Sequence, residues 1–184
     1  MRVSKPATDL KFNVAQLLRE YTGAWRKYDF TEPVLPLDDT TEMRDLVGQV
    51  RFTRTASGVL VDVRAHGTVT MECIRCLNPA TQHIEVSFRD EFHSRIDVNS
   101  GAPLPKPEED DPFFLDELHM ADVGEALREY VLLELPMQPL CRPDCRGLCP
   151  TCGADLNVEQ CACADTAADE RFEALRALLK PEQQ

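Results

Sequence analysis

Residues 59–72 read Val59-Leu60-Val61-Asp62-Val63-Arg64-Ala65-His66-Gly67-Thr68-Val69-Thr70-Met71-Glu72. Val59, Val61, Val63, Ala65, Gly67, Val69 and Met71 fall on one side, and Asp62, Arg64, His66, Thr68, Thr70 and Glu72 on the other. Successive side chains of an extended chain point to opposite sides, so a strict period of two marks a strand with one buried and one wet face. Upstream, Leu46, Gly48, Val50 and Phe52 alternate in the same way, and Ser57-Gly58 supplies a turn. Downstream, Ile84, Val86 and Phe88 repeat the pattern. The spacing predicts an antiparallel meander over 44–54, 59–72 and 82–93, with Cys73 and Cys76 at a hairpin tip and Gly67 marking a bend or bulge.

Outward from this meander the period changes. Val123, Ala126, Leu127, Tyr130 and Val131 form a helical stripe that predicts a helix over 120–133, packed on the apolar face of the sheet and ended by Pro136. Asn13-Val14-Ala15-Gln16 reads as a capping box, opening a short helix that stops at Thr22-Gly23. Trp25, Tyr28 and Phe30 follow without an assigned element, and Pro33 and Pro36 mark an irregular stretch. Residues 97–112 read as a loop ending in the acidic run Glu108-Glu109-Asp110-Asp111. A last amphipathic helix over 166–179 carries Phe172, Leu175, Leu178 and Leu179. The expected fold class is α+β: an antiparallel β-sheet meander packed by a long helix, with a C-terminal cysteine-rich zinc-stapled segment and a terminal helix. The expected division is a core over 1–140 and a cysteine-rich zinc-binding segment with the C-terminal helix over 141–184.

Eight cysteines punctuate the chain: Cys73 and Cys76, then Cys141, Cys145, Cys149 and Cys152, then Cys161 and Cys163. Two thiolates spaced by two residues can grip one tetrahedral ion from a tight turn, and Gly153 after Cys149-Pro150-Thr151-Cys152 lets the chain reverse. The cysteines predict one or two structural zinc ions held by thiolates alone. In one partition Cys149, Cys152, Cys161 and Cys163 close locally, which favours short loops, and Cys73 and Cys76 share a second ion with Cys141 and Cys145. In the other, the two C-x2-C pairs join as a zinc ribbon. Against metal stand a disulfide framework and, for Cys73 and Cys76, a role as small apolar residues capping the hairpin. A thioredoxin-like role would need the pair at a helix start after a strand, whereas it lies between two strands.

Composition narrows the rest. A hydrophobic fraction of 43% supports a core, and a net charge of −12 disfavours bulk nucleic acid and anionic membrane. Met1-Arg2-Val3-Ser4-Lys5-Pro6 has no apolar core of a signal peptide, and there is no apolar run long enough to span a bilayer, so a cytoplasmic location is expected. His66, His83, His93 and His119 sit at polar strand or loop positions and read as solvated or cross-strand groups. Phosphate-loop, dinucleotide, nucleophile-elbow and zinc-protease motifs are absent, so neither an enzyme nor a small-molecule substrate is expected.

Taken together, Glu72-Cys73-Ile74-Arg75-Cys76-Leu77, the run Arg128-Glu129-Tyr130-Val131-Leu132-Leu133-Glu134-Leu135-Pro136 into Pro139-Leu140-Cys141, the block Cys145-Arg146-Gly147-Leu148-Cys149-Pro150-Thr151-Cys152-Gly153, and Cys161-Ala162-Cys163 closely resemble the YceD family, the large ribosomal RNA subunit accumulation proteins. The resemblance covers about residues 10 to 180. It implies a non-enzymatic role in the accumulation or processing of large-subunit (23S) ribosomal RNA, with a large-subunit RNA precursor or a large-subunit ribosomal protein as partner. Some members lack the C-terminal cysteines, so zinc is expected as a staple of this branch. Phosphate contact needs Lys or Arg. Residues 44–95 hold seven arginines against six acidic residues and carry +1, while the remainder carries −13. The predicted RNA- or partner-binding residues are Arg51, Arg54, Arg64, Arg75 and Arg89, with Arg142 and Arg146 beside them. The alternative is an acidic adaptor for a basic ribosomal protein or assembly factor.

Overall fold

A computed structural model describes residues 10–107 and 113–163 of the chain. In chain order they form β1 (Lys11–Asn13), α1 (Ala15–Leu18), β2 (Trp25–Pro36), β3 (Glu42–Arg54), β4 (Gly58–Glu72), β5 (Pro79–His93), β6 (Phe113–Phe114), β7 (Met120–Asp122) and α2 (Val123–Glu134). The main sheet has the order β2-β3-β4-β5-β6, antiparallel except for β6, which runs parallel to β5. A second, two-stranded sheet pairs β1 with β7.

The alternation beginning at Val59 becomes the central strand. Val61 stands opposite Phe52, and Val63 lies between Val50 and Phe88; Val61 and Val63 are both 0% exposed. Truncating a core aromatic such as Phe52 would cost about 3–5 kcal/mol. The bulge lies across from Gly67 rather than at it. Register shifts between Arg44 and Val47 of β3, where Asp45 takes φ 53°. Asp tolerates that left-handed conformation better than most residues. Gly67 makes room: a Cβ there would lie 2.7 Å from Met43 Cε and 2.8 Å from the Arg44 carbonyl oxygen.

The stretch around Pro33 and Pro36 is strand β2, not irregular chain. It is the edge of the sheet, the place where a residue without an N–H is tolerated. Its Tyr28 packs with Phe12 and Phe52, the ring centroids lying 5.4 Å and 6.0 Å away.

The helices are short, so the expected long helix is corrected. α2 has 12 residues, and residues 120–122 belong to β7 instead. Asp122 caps α2, its Oδ1 accepting the Glu125 N–H at 3.1 Å. Val123, Ala126, Leu127 and Val131 join the core cluster that contains the sheet's apolar residues. Tyr130 stacks on Phe88 at 4.2 Å and donates its O–H to Asp90 at 3.0 Å. α1 has four residues, and the Asn13 side chain accepts from the Ala15 N–H at 3.0 Å rather than from Gln16. The expected terminal helix over 166–179 and the acidic run 108–111 lie outside the described residues. Among the described residues no helix is long and apolar enough to cross a membrane.

Candidate metal centres and the open sheet face

The first cysteine cluster is built at the tip of the β4–β5 hairpin. The Cys73 N–H bonds the Asn78 carbonyl and the Leu77 N–H returns to the Cys73 carbonyl, both at 2.9 Å, with Leu77 at φ 61°. The chain leaving α2 is held against this tip. Ile74 N–H donates to the Pro139 carbonyl and the Gln82 amide to the Leu140 carbonyl, each at 3.0 Å. Cys141 and Cys145 are thereby delivered beside Cys73 and Cys76. The Sγ atoms of Cys73 and Cys145 are 3.8 Å apart, and those of Cys76 and Cys141 are 3.6 Å apart. Arg75 donates to the Cys145 carbonyl at 2.7 Å, and the Arg75 carbonyl accepts from the Leu148 N–H at 2.9 Å.

The second cluster is local. Gly153 at φ 75° returns its N–H to the Cys149 carbonyl, and the Cys149 N–H meets the Ala154 carbonyl, closing a tight knuckle. Cys161 and Cys163 come back to it, so Cys149, Cys152, Cys161 and Cys163 form a tetrad. Asp155 and Asn157 link the two clusters: Asn78 donates to Asp155 at 3.0 Å, and the Asn157 amide donates to Cys145 Sγ at 3.4 Å.

In each tetrad the four sulfurs lie within 4.8 Å of one another. A zinc–sulfur bond of about 2.3 Å makes the edge of a thiolate tetrahedron about 3.8 Å. The two separations in the first cluster match that edge and are far from a disulfide bond of about 2.05 Å. The structure thus assembles one of the two partitions, and the ribbon pairing Cys73 and Cys76 with Cys149 and Cys152 is not formed. The first tetrad draws on residues before and after position 140.

The sulfurs of each tetrad differ in how readily they ionise. Burial opposes ionisation of Cys73, but the N–H groups of Cys141, Arg75 and Cys76 outweigh it and pull the thiol down to about 6. Cys141 is exposed as a residue, yet desolvation of its sulfur and then Cys76, Cys145 and Cys73 push it up to about 12. Cys149 is pulled down to about 6 by the N–H groups of Cys152 and Thr151, and Cys163 is pushed up to about 12 by the Cys152 thiol and by burial. One thiolate forms readily in each cluster, while Cys76 and Cys141 in the first and Cys161 and Cys163 in the second resist. A central cation lets all four ionise together. An ion held by all four sulfurs of a tetrad would have no coordination position left for water.

The predicted arginines do not form one patch. Arg51, Arg64 and Arg89 share the exposed face of the sheet. Arg89 pairs with Asp62 at 3.1 Å and 2.6 Å, and the Arg51 guanidinium lies over the Trp25 ring at 4.7 Å. Arg54 is turned inward: it donates to the carbonyls of Leu18 at 3.1 Å, Gly58 at 3.0 Å and Thr55, so its charge serves the fold. Arg75 is engaged at the first cluster, and Arg142 pairs with Asp144 at 3.6 Å. His93, expected at a solvated position, is buried beside Phe114. Trp25 and Lys27 join the exposed face with Arg51. Sequence reasoning missed both because the prolines hid β2, although the alternation of Tyr28 and Phe30 with Lys27 and Asp29 was there to be read.

The profile of a family described as "Large ribosomal RNA subunit accumulation protein YceD" matches residues 61–179. An uncharacterized protein of Mycobacterium tuberculosis is 32% identical over 133 residues, covering 72% of this chain and 61% of its own length. The chain thus spans about three fifths of the mycobacterial relative. A Zea mays protein named large ribosomal RNA subunit accumulation protein YCED homolog 1, chloroplastic, is 29% identical over 137 residues, 62% of this chain and 47% of its own. The uncharacterized protein YlbN of Bacillus subtilis is 28% identical over 159 residues, 78% of this chain and 87% of its own. No solved structure matches the chain.

Proposed function

The chain belongs to the YceD family, and we propose that it is a non-catalytic cytoplasmic factor supporting the accumulation of large-subunit (23S) ribosomal RNA, with one structural zinc ion in each cysteine tetrad. The observation that carries this reading is the extent of the family match, residues 61–179, which takes in the β4–β5 hairpin, α2 and all eight cysteines. The matched part is then the β4–β5 hairpin from residue 61 with α2 and the cysteine segment, which the metal would hold together, and β2 and β3 precede it. Soft thiolate donors at tetrahedral spacing favour zinc over hard cations.

The test has two parts. Depletion of the protein lowers 23S relative to 16S ribosomal RNA, and the purified protein carries two equivalents of zinc by elemental analysis. Unchanged 23S levels would sink the ribosomal role. Iron in place of zinc, or eight freely titrating thiols in the folded protein, would sink the zinc assignment. A second reading, an acidic adaptor for a basic large-subunit ribosomal protein, is favoured by the net charge of −12. Affinity purification with nuclease separates the two: an adaptor keeps its ribosomal protein after RNA is digested, and an RNA-contacting factor loses its ribosomal partners.

A further inference from the structure

We infer that the open face of the main sheet is a stacking platform for an unpaired RNA base, with Trp25 as the ring on which the base lies and Lys27, Arg51 and Arg64 as the groups that take its phosphates. The inference rests on the RNA reading proposed above and names the surface that reading lacks.

The opposite face of the sheet is covered by α2. The outward side chains Lys27, Asp29, Gln49, Arg51, Arg64, Ser87 and Arg89 are all exposed. Trp25 stands at the edge, 52% exposed, with the Arg51 guanidinium over its ring at 4.7 Å. An indole ring braced by a guanidinium presents an aromatic surface on which a base can stack. The register aligns Lys27, Arg51, Asp62 and Arg89 in one row across the strands, and Asp29, Gln49, Arg64 and Ser87 in the next. Arg89 neutralises Asp62, whereas no carboxylate pairs with Lys27, Arg51 or Arg64 among the described residues. In a chain of net charge −12, this is where phosphate can approach. An open sheet face with a ring held by an arginine plane takes a splayed base; a duplex hides its base faces.

Trp25 is the single tryptophan of the chain, so its emission reports on its own contact. Titration with a single-stranded, mixed-sequence oligoribonucleotide should quench Trp25, and a duplex of the same sequence should not. Trp25→Ala should weaken binding, followed with labelled RNA, by about tenfold or more, while Trp25→Phe retains part of it. Lys27→Gln with Arg64→Gln should flatten the salt dependence. Each variant is first checked for wild-type circular dichroism and zinc content. RNA binding that leaves Trp25 emission unchanged, or Trp25→Ala binding as tightly as wild type, would overturn the inference. So would quenching by a basic ribosomal protein but not by RNA, which would assign the face to protein. In cells, depletion that lowers 23S RNA with full rescue by Trp25→Ala rejects the platform and leaves the family role standing. Depletion without effect on 23S RNA, with Trp25 still quenched by single strands, supports the platform and rejects the role.

Discussion

Opening the first tetrad should loosen the whole sheet, and opening the second should not. The perturbation is the pair Cys141→Ala and Cys145→Ala, which removes the two sulfurs that reach the hairpin tip from beyond α2. The contacts they close lie 65 and 72 residues apart in sequence. A cross-link over such a loop removes unfolded-state entropy of about 4 kcal/mol. With a urea slope near 2 kcal/mol/M, the midpoint should fall by about 2 M. The matched pair Cys161→Ala and Cys163→Ala opens only a short loop, of about 3 kcal/mol, confined to the knuckle around Cys149. Trp25 fluorescence reads the sheet directly, since Trp25 pairs with Thr53 of β3. The first pair should therefore shift the tryptophan transition and the second leave it near wild type, although each loses one equivalent of zinc. Equal shifts for the two pairs, or none for the first, would refute the clip.

Three further outcomes follow from single contacts. Tyr130→Phe removes the bond to Asp90 and should cost about 1 kcal/mol at neutral pH. Burial and then Asp90 raise the Tyr130 pKa, so its stabilisation is present below the ordinary value near 10 and lost as pH rises through the folded one; the gap between wild type and variant should close in alkaline urea titrations. Arg54→Ala removes the guanidinium from the Leu18, Thr55 and Gly58 carbonyls, of which Gly58 keeps the Thr55 N–H, and should cost about 1–3 kcal/mol, whereas Arg64→Ala should stay within about 0.5 kcal/mol and change RNA affinity instead; thermal melts beside binding isotherms check both. Gly147→Ala places a Cβ 2.8 Å from the Arg75 carbonyl at φ 76° and should cost about 1–3 kcal/mol, seen as faster loss of zinc to a chromogenic chelator.

The strands β3 to β5 were legible because one buried face forces a period of two on Val59 through Met71 and on their neighbours. β2 was not, since an edge strand tolerates prolines that would exclude a central one, and Pro33 and Pro36 interrupt its alternation. The cysteines announced metal from their spacing, but two partitions stayed open. What decides between them is a tertiary contact, the Pro139 carbonyl meeting the Ile74 N–H, which no local pattern encodes. The arginines were the least legible. Arg54 and Arg64 both sit on strands of the meander, but Arg54 ends its strand on the side of Phe52, where the carbonyls of Leu18, Thr55 and Gly58 receive its guanidinium, while Arg64 stands on the exposed face.

The long separation between the halves of the first tetrad also sets a clock. Ribosomes add roughly 5–20 residues per second. Cys73 is therefore made about 4–14 s before Cys145, which lies 72 residues later. Over that interval the hairpin tip carries two thiols without their partners, open to oxidation or to a borrowed ligand such as glutathione. The second tetrad, contained within 149–163, waits about 1–3 s for its last cysteine. A growing chain is thus most vulnerable to oxidants at Cys73 and Cys76, residues that the finished protein keeps almost wholly out of solvent.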